Sequence, residues 1–387
     1  MLGFAIPAIL RDWYVSRAAF GPVVAAGLIG MCIGSLASGA AGDRFGRRRA
    51  LIGSVFVFAG VTFGTALVQS IPMLVAMRFL AGAGIGGAIP VAAAIAAEFS
   101  PLHRRPFIVT STVVCVPLGG MLGGFAAAQI LPSFGWRGLF ATGGIAPLLL
   151  AVLLCFLLPE SPGFLATRGN RSRTSTGISL KLVFGSGNLR DTLSLWLTCF
   201  CCLLCVYTSF SWLPTLLTTQ GFSLAEASTG LAVYNLGGVV GAILCGGVIM
   251  RFGSRIPMLT CALLASVSVL ILNFPGTRSH AVLLAGFAAH GLFVNAVQST
   301  SFALGAHMYP TSVRASGVAF TLAVGRTGAV LSAFFGAGLI SQGRPAFLNF
   351  LALTMAGTFV GLALVRNHIP SRALVRQKRA SAATSTT

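Results

Sequence analysis

Acid is what this sequence has least of. Its 387 residues hold six Asp and Glu against 26 Lys and Arg, and only 8% are charged at all. Soluble domains carry about a quarter charged residues, so this chain lacks the means to cover a water-facing surface. With 56% apolar residues, 48 Gly and a mean hydropathy of +0.90, the composition is that of an integral membrane protein. The sequence also lacks any nucleophile–base constellation and any metal-ligand spacing, which argues against an enzyme and against a bound cofactor. A net charge of +20 would suggest nucleic acid on a soluble protein. Here the basic residues form no helical stripe and no interleaving with aromatics; they fall in the gaps between apolar runs, so nucleic acid is set aside. Nine Cys are present, four of them (Cys199, Cys201, Cys202, Cys205) within one apolar CFCCLLC run. They read as small packed groups and not as a disulfide framework.

What is there is length of apolar chain. A membrane-spanning helix needs about 20 apolar residues. Runs free of Asp, Glu, Lys and Arg cover 18–42, 50–77, 79–97, 106–136, 138–159, 192–225, 227–250, 256–277, 279–313 and 345–365, and 315–343 is broken only by Arg326. These give eleven full spans. MLGFAIPAIL ahead of Arg11 reaches half-way across a bilayer and reads as the second half of a helix. The expected fold is therefore all-α: twelve transmembrane helices in two six-helix bundles, the first helix truncated. With the loop at 43–49 on the cytoplasmic side, 19 of the 26 basic residues fall on that side, five on the other and two within spans. Positive residues stay inside, so both termini are expected in the cytoplasm of a multi-pass cell-membrane protein. The expected domains are an N-terminal bundle (1–167), a cytoplasmic linker (168–190), a C-terminal bundle (191–368) and a disordered tail (369–387).

The halves are related. GAAGDRFGRRR (39–49) aligns with GGVIMRFGSRI (246–256) at an offset of 207, and SPLHRR (100–105) with YPTSVR (309–314) at an offset of 209. Parallel halves of this kind place a substrate site near mid-membrane. Met250 stands where Asp43 stands in the first half, so the two copies are chemically unequal.

Gly39-x-x-x-Asp43-Arg44-x-Gly46-Arg47-Arg48-Arg49 resembles the loop 2–3 signature of the major facilitator superfamily. Arg78-x-x-x-Gly82-x-Gly84-x-Gly86-Gly87 resembles its helix 4 signature, and Pro159-Glu160-Ser161-Pro162 the motif closing helix 6 in many of its solute porters. GAGIGG (82–87) also fits a dinucleotide fingerprint, but no strand precedes it. Within the superfamily, segments 3–13, 16–49, 211–217 and 323–330 resemble the aromatic acid:proton symporters. Members carry Asp-Gly-x-Asp in the first half of helix 1, a segment that would precede Met1.

The resemblance implies proton-coupled uptake of a small aromatic carboxylate by alternating access, energised by the proton gradient, in a monomer surrounded by lipid. VPLGGMLGG (116–124) partly resembles an antiporter signature, which keeps proton-driven efflux of drugs or metabolites as an alternative; an inactive truncated transporter is another. The gating and coupling candidates are Asp43, Arg44, Arg47, Arg78, Glu98 and Arg105. Glu98 is expected to pair with Arg104 or Arg105, and Gly39 and Gly42 to allow close approach of two helix ends. Arg326 lies inside a span with no carboxylate obviously placed to neutralise it, which favours an anionic substrate. Tyr207, Trp212, Asn235, His290, Asn295 and Gln298 are the further substrate-binding candidates.

Overall fold

The computed structural model describes residues 1–101, 105–161, 189–274, 279–309 and 314–371. The apolar runs become helices, because in lipid each backbone polar group must be satisfied within its own segment. In chain order they are α1 (Leu2–Trp13), α2 (Phe20–Phe45), α3 (Arg47–Thr65), α4 (Ile71–Glu98), α5 (Arg105–Leu157), α6 (Leu189–Thr219), α7 (Leu224–Phe252), α8 (Arg255–Ile271), α9 (His280–Met308), α10 (Arg314–Ser341) and α11 (Arg344–Leu364). Non-helical Gly135 breaks α5 in two. Among the described residues this leaves eleven long helices after the short α1, as the apolar runs require.

Helix ends differ from the charge boundaries where a charge is buried. Arg78 divides two apolar runs, yet α4 passes through it from Ile71. The real break lies at Ala66–Ser70, just ahead of Pro72, which is tolerated only in a helix's first turn.

The chain forms two compact units. One comprises Met1–Thr176, Phe210–Ala232 and Ala333–Ser341; the other comprises Gly177–Ser209, Val233–Ser332 and Gln342–Thr387. Nearly all of the expected linker and tail lies outside the described residues.

Each unit is built on one very close helix pair. In the first, a Cβ on Gly30 would stand 2.1 Å from the Phe79 carbonyl, and one on Gly34 2.0 Å from that of Ala83. From the other side, Gly82 meets the Gly27 carbonyl and Gly86 that of Met31. In the second unit, Gly237 meets the Ala288 carbonyl at 2.1 Å, Gly241 that of Leu292 at 1.9 Å and Gly291 that of Tyr234 at 2.0 Å. Offsets of 207 from α2 to α7 and 209 from α4 to α9 carry one set onto the other. Gly30 and Phe79 become Gly237 and Ala288; Gly34 and Ala83 become Gly241 and Leu292; Gly82 becomes Gly291. One contact is exchanged: Asn295 replaces Gly86, and Gly238 replaces Met31 so that Asn295 fits. The repeat is therefore a repeat of backbone-to-backbone packing, the arrangement that helices without a solvent-driven hydrophobic force rely on.

Gly39 and Gly42 are not part of this. A Cβ at Gly39 meets nothing within 4 Å, and one at Gly42 makes only ordinary contacts with Arg47 and Ala50. Close approach occurs along the helix bodies instead of at the ends of α2 and α3.

Candidate functional site

The Gly- and Arg-rich turn between α2 and α3 is tied down by carboxylates distant in sequence. Gly46 takes φ +101°, and a Cβ there would run into the Glu160 carboxylate, so the turn demands glycine twice over. Glu160 Oε1 accepts the Arg48 backbone N–H at 3.0 Å and that of Ser161, also at 3.0 Å. It thus sits as an anion on the positive N-terminus of α3. Arg47 forms an ion pair with Glu98 at the end of α4, and Ser161 donates to the same carboxylate. The Arg48 guanidinium donates to the Cys155 carbonyl. Among the described side chains Glu98 thus meets Arg47 and Ser161; the side chains of Arg104 and Arg105, its expected partners, lie outside the described residues, as does that of Asp43. Arg44 is exposed, its guanidinium 5.2 Å from the Phe45 ring centre.

The second unit repeats this knot with different chemistry. Gly253, the counterpart of Gly46, has φ +81°. The following N–H, of Ser254, donates not to a carboxylate but to the Ile369 carbonyl at 2.9 Å, and the Ile369 N–H returns to Ser254 Oγ at 2.9 Å. Ser254 Oγ also lies 3.1 Å from His368 Nδ1, and His368 Nε2 lies 3.2 Å from the Leu362 carbonyl. Asp191, 4% exposed at the start of α6, accepts the N–H groups of Arg366 at 2.9 Å and Asn367 at 3.2 Å. The segment after α11 is thus strapped to the ends of α6, α7 and α8.

This strap has a pH response with a definite sign. Burial, the largest cause, holds the His368 imidazole below its ordinary range; Arg255 acts the same way, while the Leu362 carbonyl and Asp191 oppose it. The docked segment prefers neutral His368. Undocked, the ring protonates first as pH falls below about 6.5, so docking is fully present above that value, weakens as pH falls towards the docked pKa, and levels off below it. Backbone amides of 365–371, followed by hydrogen exchange and corrected for intrinsic rate, are expected to lose protection between pH of about 7.5 and about 5.5. His368→Gln is expected to remove that dependence; an unchanged dependence in the variant would assign it elsewhere.

Inside the first unit lies Arg78. Its guanidinium stacks 4.5 Å from the centre of the Phe140 ring, and its Nε and Nη2 are buried without a hydrogen-bond partner. Such an unpaired cation at membrane depth is costly and marks function by default. Asp12, in contrast, is satisfied: it accepts the Trp136 indole N–H at 2.9 Å and lies 3.6 Å from Arg137. Trp13 packs edge-on against Trp136. Trp212 also belongs to this unit, fully buried beside Gly336 with its indole N–H unpartnered.

Tyr207, Asn235, His290, Asn295, Gln298 and Arg326 all fall in the second unit. His290 is fully buried, with Nδ1 3.0 Å from the Ala265 carbonyl and Nε2 3.6 Å from Cys205 Sγ. These partners set the neutral Nδ1–H tautomer and bind α9 to α8 and α6. Asn295 donates to the Gly291 carbonyl at 2.9 Å, and Asn235 is buried on α7. Gln298 lines a small cleft with Cys199, Cys202, Ser301 and Thr321. Tyr207 and Arg326 are half-buried on α6 and α10. Two residues passed over in the sequence join this set: Tyr234 and Ser209, 1% and 0% exposed, the Tyr234 hydroxyl lying close to Ser209 and Asn295. The available signal was the repeat itself, which puts a tyrosine where the first half has Gly27.

The family model described as Major Facilitator Superfamily matches this chain in two stretches, residues 1–247 and 219–386. The chain belongs to the major facilitator superfamily. This facilitator is 36% identical over 370 residues to the 4-hydroxybenzoate transporter PcaK of Pseudomonas aeruginosa, covering 88% of this chain and 82% of that protein. It is 33% identical over 392 residues to the gallate transporter of Pseudomonas putida, covering 95% and 87%. Its fold is similar to that of a D-xylose-proton symporter, with a TM-score of 0.72 at 21% identity and with 93% and 92% of the two chains covered. Fold and relatives together make it a multi-pass membrane transporter and not an enzyme. Among the described residues, eight helices are long and apolar enough by themselves to cross a bilayer, counting the stretch broken at Gly135 as one.

Proposed function

We propose that this facilitator brings a small aromatic carboxylate into the cell together with a proton, by alternating access in the cell membrane, with the arginine-rich turns facing the cytoplasm. The observation that carries the reading is Arg78: a buried guanidinium with two unpaired donors, lying on an aromatic ring. A carboxylate satisfies both donors with charge-assisted bonds, and the aromatic surface beside it suits the ring of the same substrate. Relatives whose names specify 4-hydroxybenzoate and gallate transport support the substrate class. The paired carboxylate–arginine knot around Gly46 suits a gate that closes and opens on one side, since charge-assisted bonds at helix ends form or break as a unit.

The test is uptake of labelled 4-hydroxybenzoate and benzoate by cells expressing the protein under an imposed inward proton gradient. Accumulation that a protonophore abolishes is the expected result. Faster loss of preloaded acid than in control cells would establish efflux instead. No acid-dependent flux in either direction would overturn the reading.

A further inference from the structure

Two thiols from neighbouring helices meet in the second unit. Cys245 of α7 and Cys261 of α8 are hydrogen-bond partners, and Thr300 of α9 also bonds to Cys245. Only Gly253 and Ser254 separate the two helices in the chain. Cys245 stands eight residues before Gly253 and Cys261 eight residues after it. At the helical rise of about 1.5 Å per residue, both lie about 12 Å from the turn. The two thiols are therefore level with one another across the hairpin of α7 and α8.

The first half builds the same position with different chemistry. The offset of 207 carries Cys245 to Ser38 and Cys261 to Ser54. A Cβ on Gly87 of α4 would stand 2.6 Å from Ser54 Oγ and 3.0 Å from Ser38 Cβ, so that pair also comes together beside the next helix. Two hydroxyls cannot be joined by oxidation; two thiols can. The cysteines of the CFCCLLC run are engaged otherwise and sit on one helix. Cys202 donates to the Val294 carbonyl at 3.9 Å, and Cys205 lies 3.6 Å from His290 Nε2 and donates to the Leu351 carbonyl at 3.9 Å. Cys245 and Cys261 come from two helices and face each other.

Unequal exposure sets the order of reaction. Cys245 is 5% exposed, whereas Cys261 is half-buried. We propose that Cys245 and Cys261 are a modification site for a peroxide-class oxidant, which converts them reversibly into a disulfide between α7 and α8. Hydrogen peroxide transfers one oxygen to the Cys261 sulfur. The O–O bond breaks, the sulfur is oxidised to a sulfenic acid, and one water leaves. The Cys245 sulfur then attacks the Cys261 sulfur. The S–S bond forms, the S–O bond breaks, and the Cys245 proton departs with the hydroxyl as a second water. A dithiol reductant returns both thiols by exchange. Oxidation therefore ties the hairpin of the second half alone, because the first half carries serines at this position.

Membranes containing the full chain, treated with hydrogen peroxide, alkylated and digested with trypsin, test this by mass spectrometry. Arg251 and Arg255 lie between the two cysteines, so digestion puts them on separate peptides. The expected product is one cross-linked pair holding Cys245 and Cys261, lighter than the two reduced peptides by two hydrogens and separated again by dithiothreitol. Cys245→Ser is expected to stop the reaction at a Cys261 sulfenic acid that dimedone traps, whereas Cys261→Ser leaves Cys245 as a free thiol. Each substitution installs the residue that the first half carries there, and the wild-type cross-link is read without either. Both cysteines recovered as free thiols after peroxide would overturn the proposal. So would Cys261 driven to sulfinic acid without pairing, or either cysteine cross-linked instead to one in the CFCCLLC run. Oxidation of Cys245 at the wild-type rate in Cys261→Ser would overturn the order of steps.

Discussion

Gly34→Val is expected to remove folded transporter from the membrane, whereas Gly39→Val, five residues further along the same helix, leaves it in place. The two substitutions carry the same helix-propensity cost, so any difference is tertiary. At Gly34 the first added carbon would stand 2.0 Å from the Ala83 carbonyl, with Ala83 Cα at 2.6 Å. Backbone cannot swing aside as a side chain does, so α2 and α4 must separate along their whole contact. Overpacking of this kind costs about 3 kcal/mol or more, a large part of the stability of a typical domain. Gly39 is exposed and an added carbon meets nothing. The readout is the monodisperse fraction of fluorescently tagged protein after detergent extraction. Gly241→Val, the same position in the second half, is expected to match Gly34→Val, since its added carbon would lie 1.9 Å from the Leu292 carbonyl. Similar yields for the Gly34 and Gly39 variants would refute the backbone-contact account of the repeat.

Arg78→Gln is expected to abolish uptake while raising the melting temperature. The guanidinium is desolvated, and its stacking on Phe140 replaces little of the hydration it has lost. A neutral side chain of similar length removes that burden, so the fold gains what the site loses. Uptake falls by about 100-fold or more, the scale of losing a charge-assisted pair inside a dry bundle. Arg78→Lys keeps the charge without the planar fork and is expected to lie between, about tenfold down. Thermal stability and uptake are to be measured on the same preparations and normalised to abundance. A lower melting temperature with uptake lost in proportion to protein would make Arg78 a structural residue.

Much of this molecule is legible without coordinates. Long apolar runs settle that the chain is helical and spans a membrane many times, because an unbroken apolar run of about 20 residues satisfies its own backbone in lipid as a helix, whereas a barrel strand is shorter and alternates. The 207- and 209-residue offsets, read from RFG and from the Pro and Arg of SPLHRR and YPTSVR, lay out the two halves, and the close helix pairs follow the same offsets. Loop signatures are equally open to reading, since Gly46 and Glu160 belong to turns whose geometry restricts the residue type.

Faces were not legible. A helix buried in lipid and protein is apolar all round, so it carries no stripe to say which side meets a neighbour. Gly39 and Gly34 look alike in the sequence; only packing distinguishes an exposed glycine from one pressed against a carbonyl. Glu98 also meets Arg47, 51 residues upstream, a contact that no local spacing announces. Tyr234 gave no motif, and its place beside Ser209 and Asn295 is something only three-dimensional neighbours reveal. Sequence by itself determined the class of protein, its membrane crossings and its internal repeat, since lipid and chain connectivity impose these directly. Which polar groups are paired and which are left waiting was decided by the tertiary structure, because that depends on which helix faces meet.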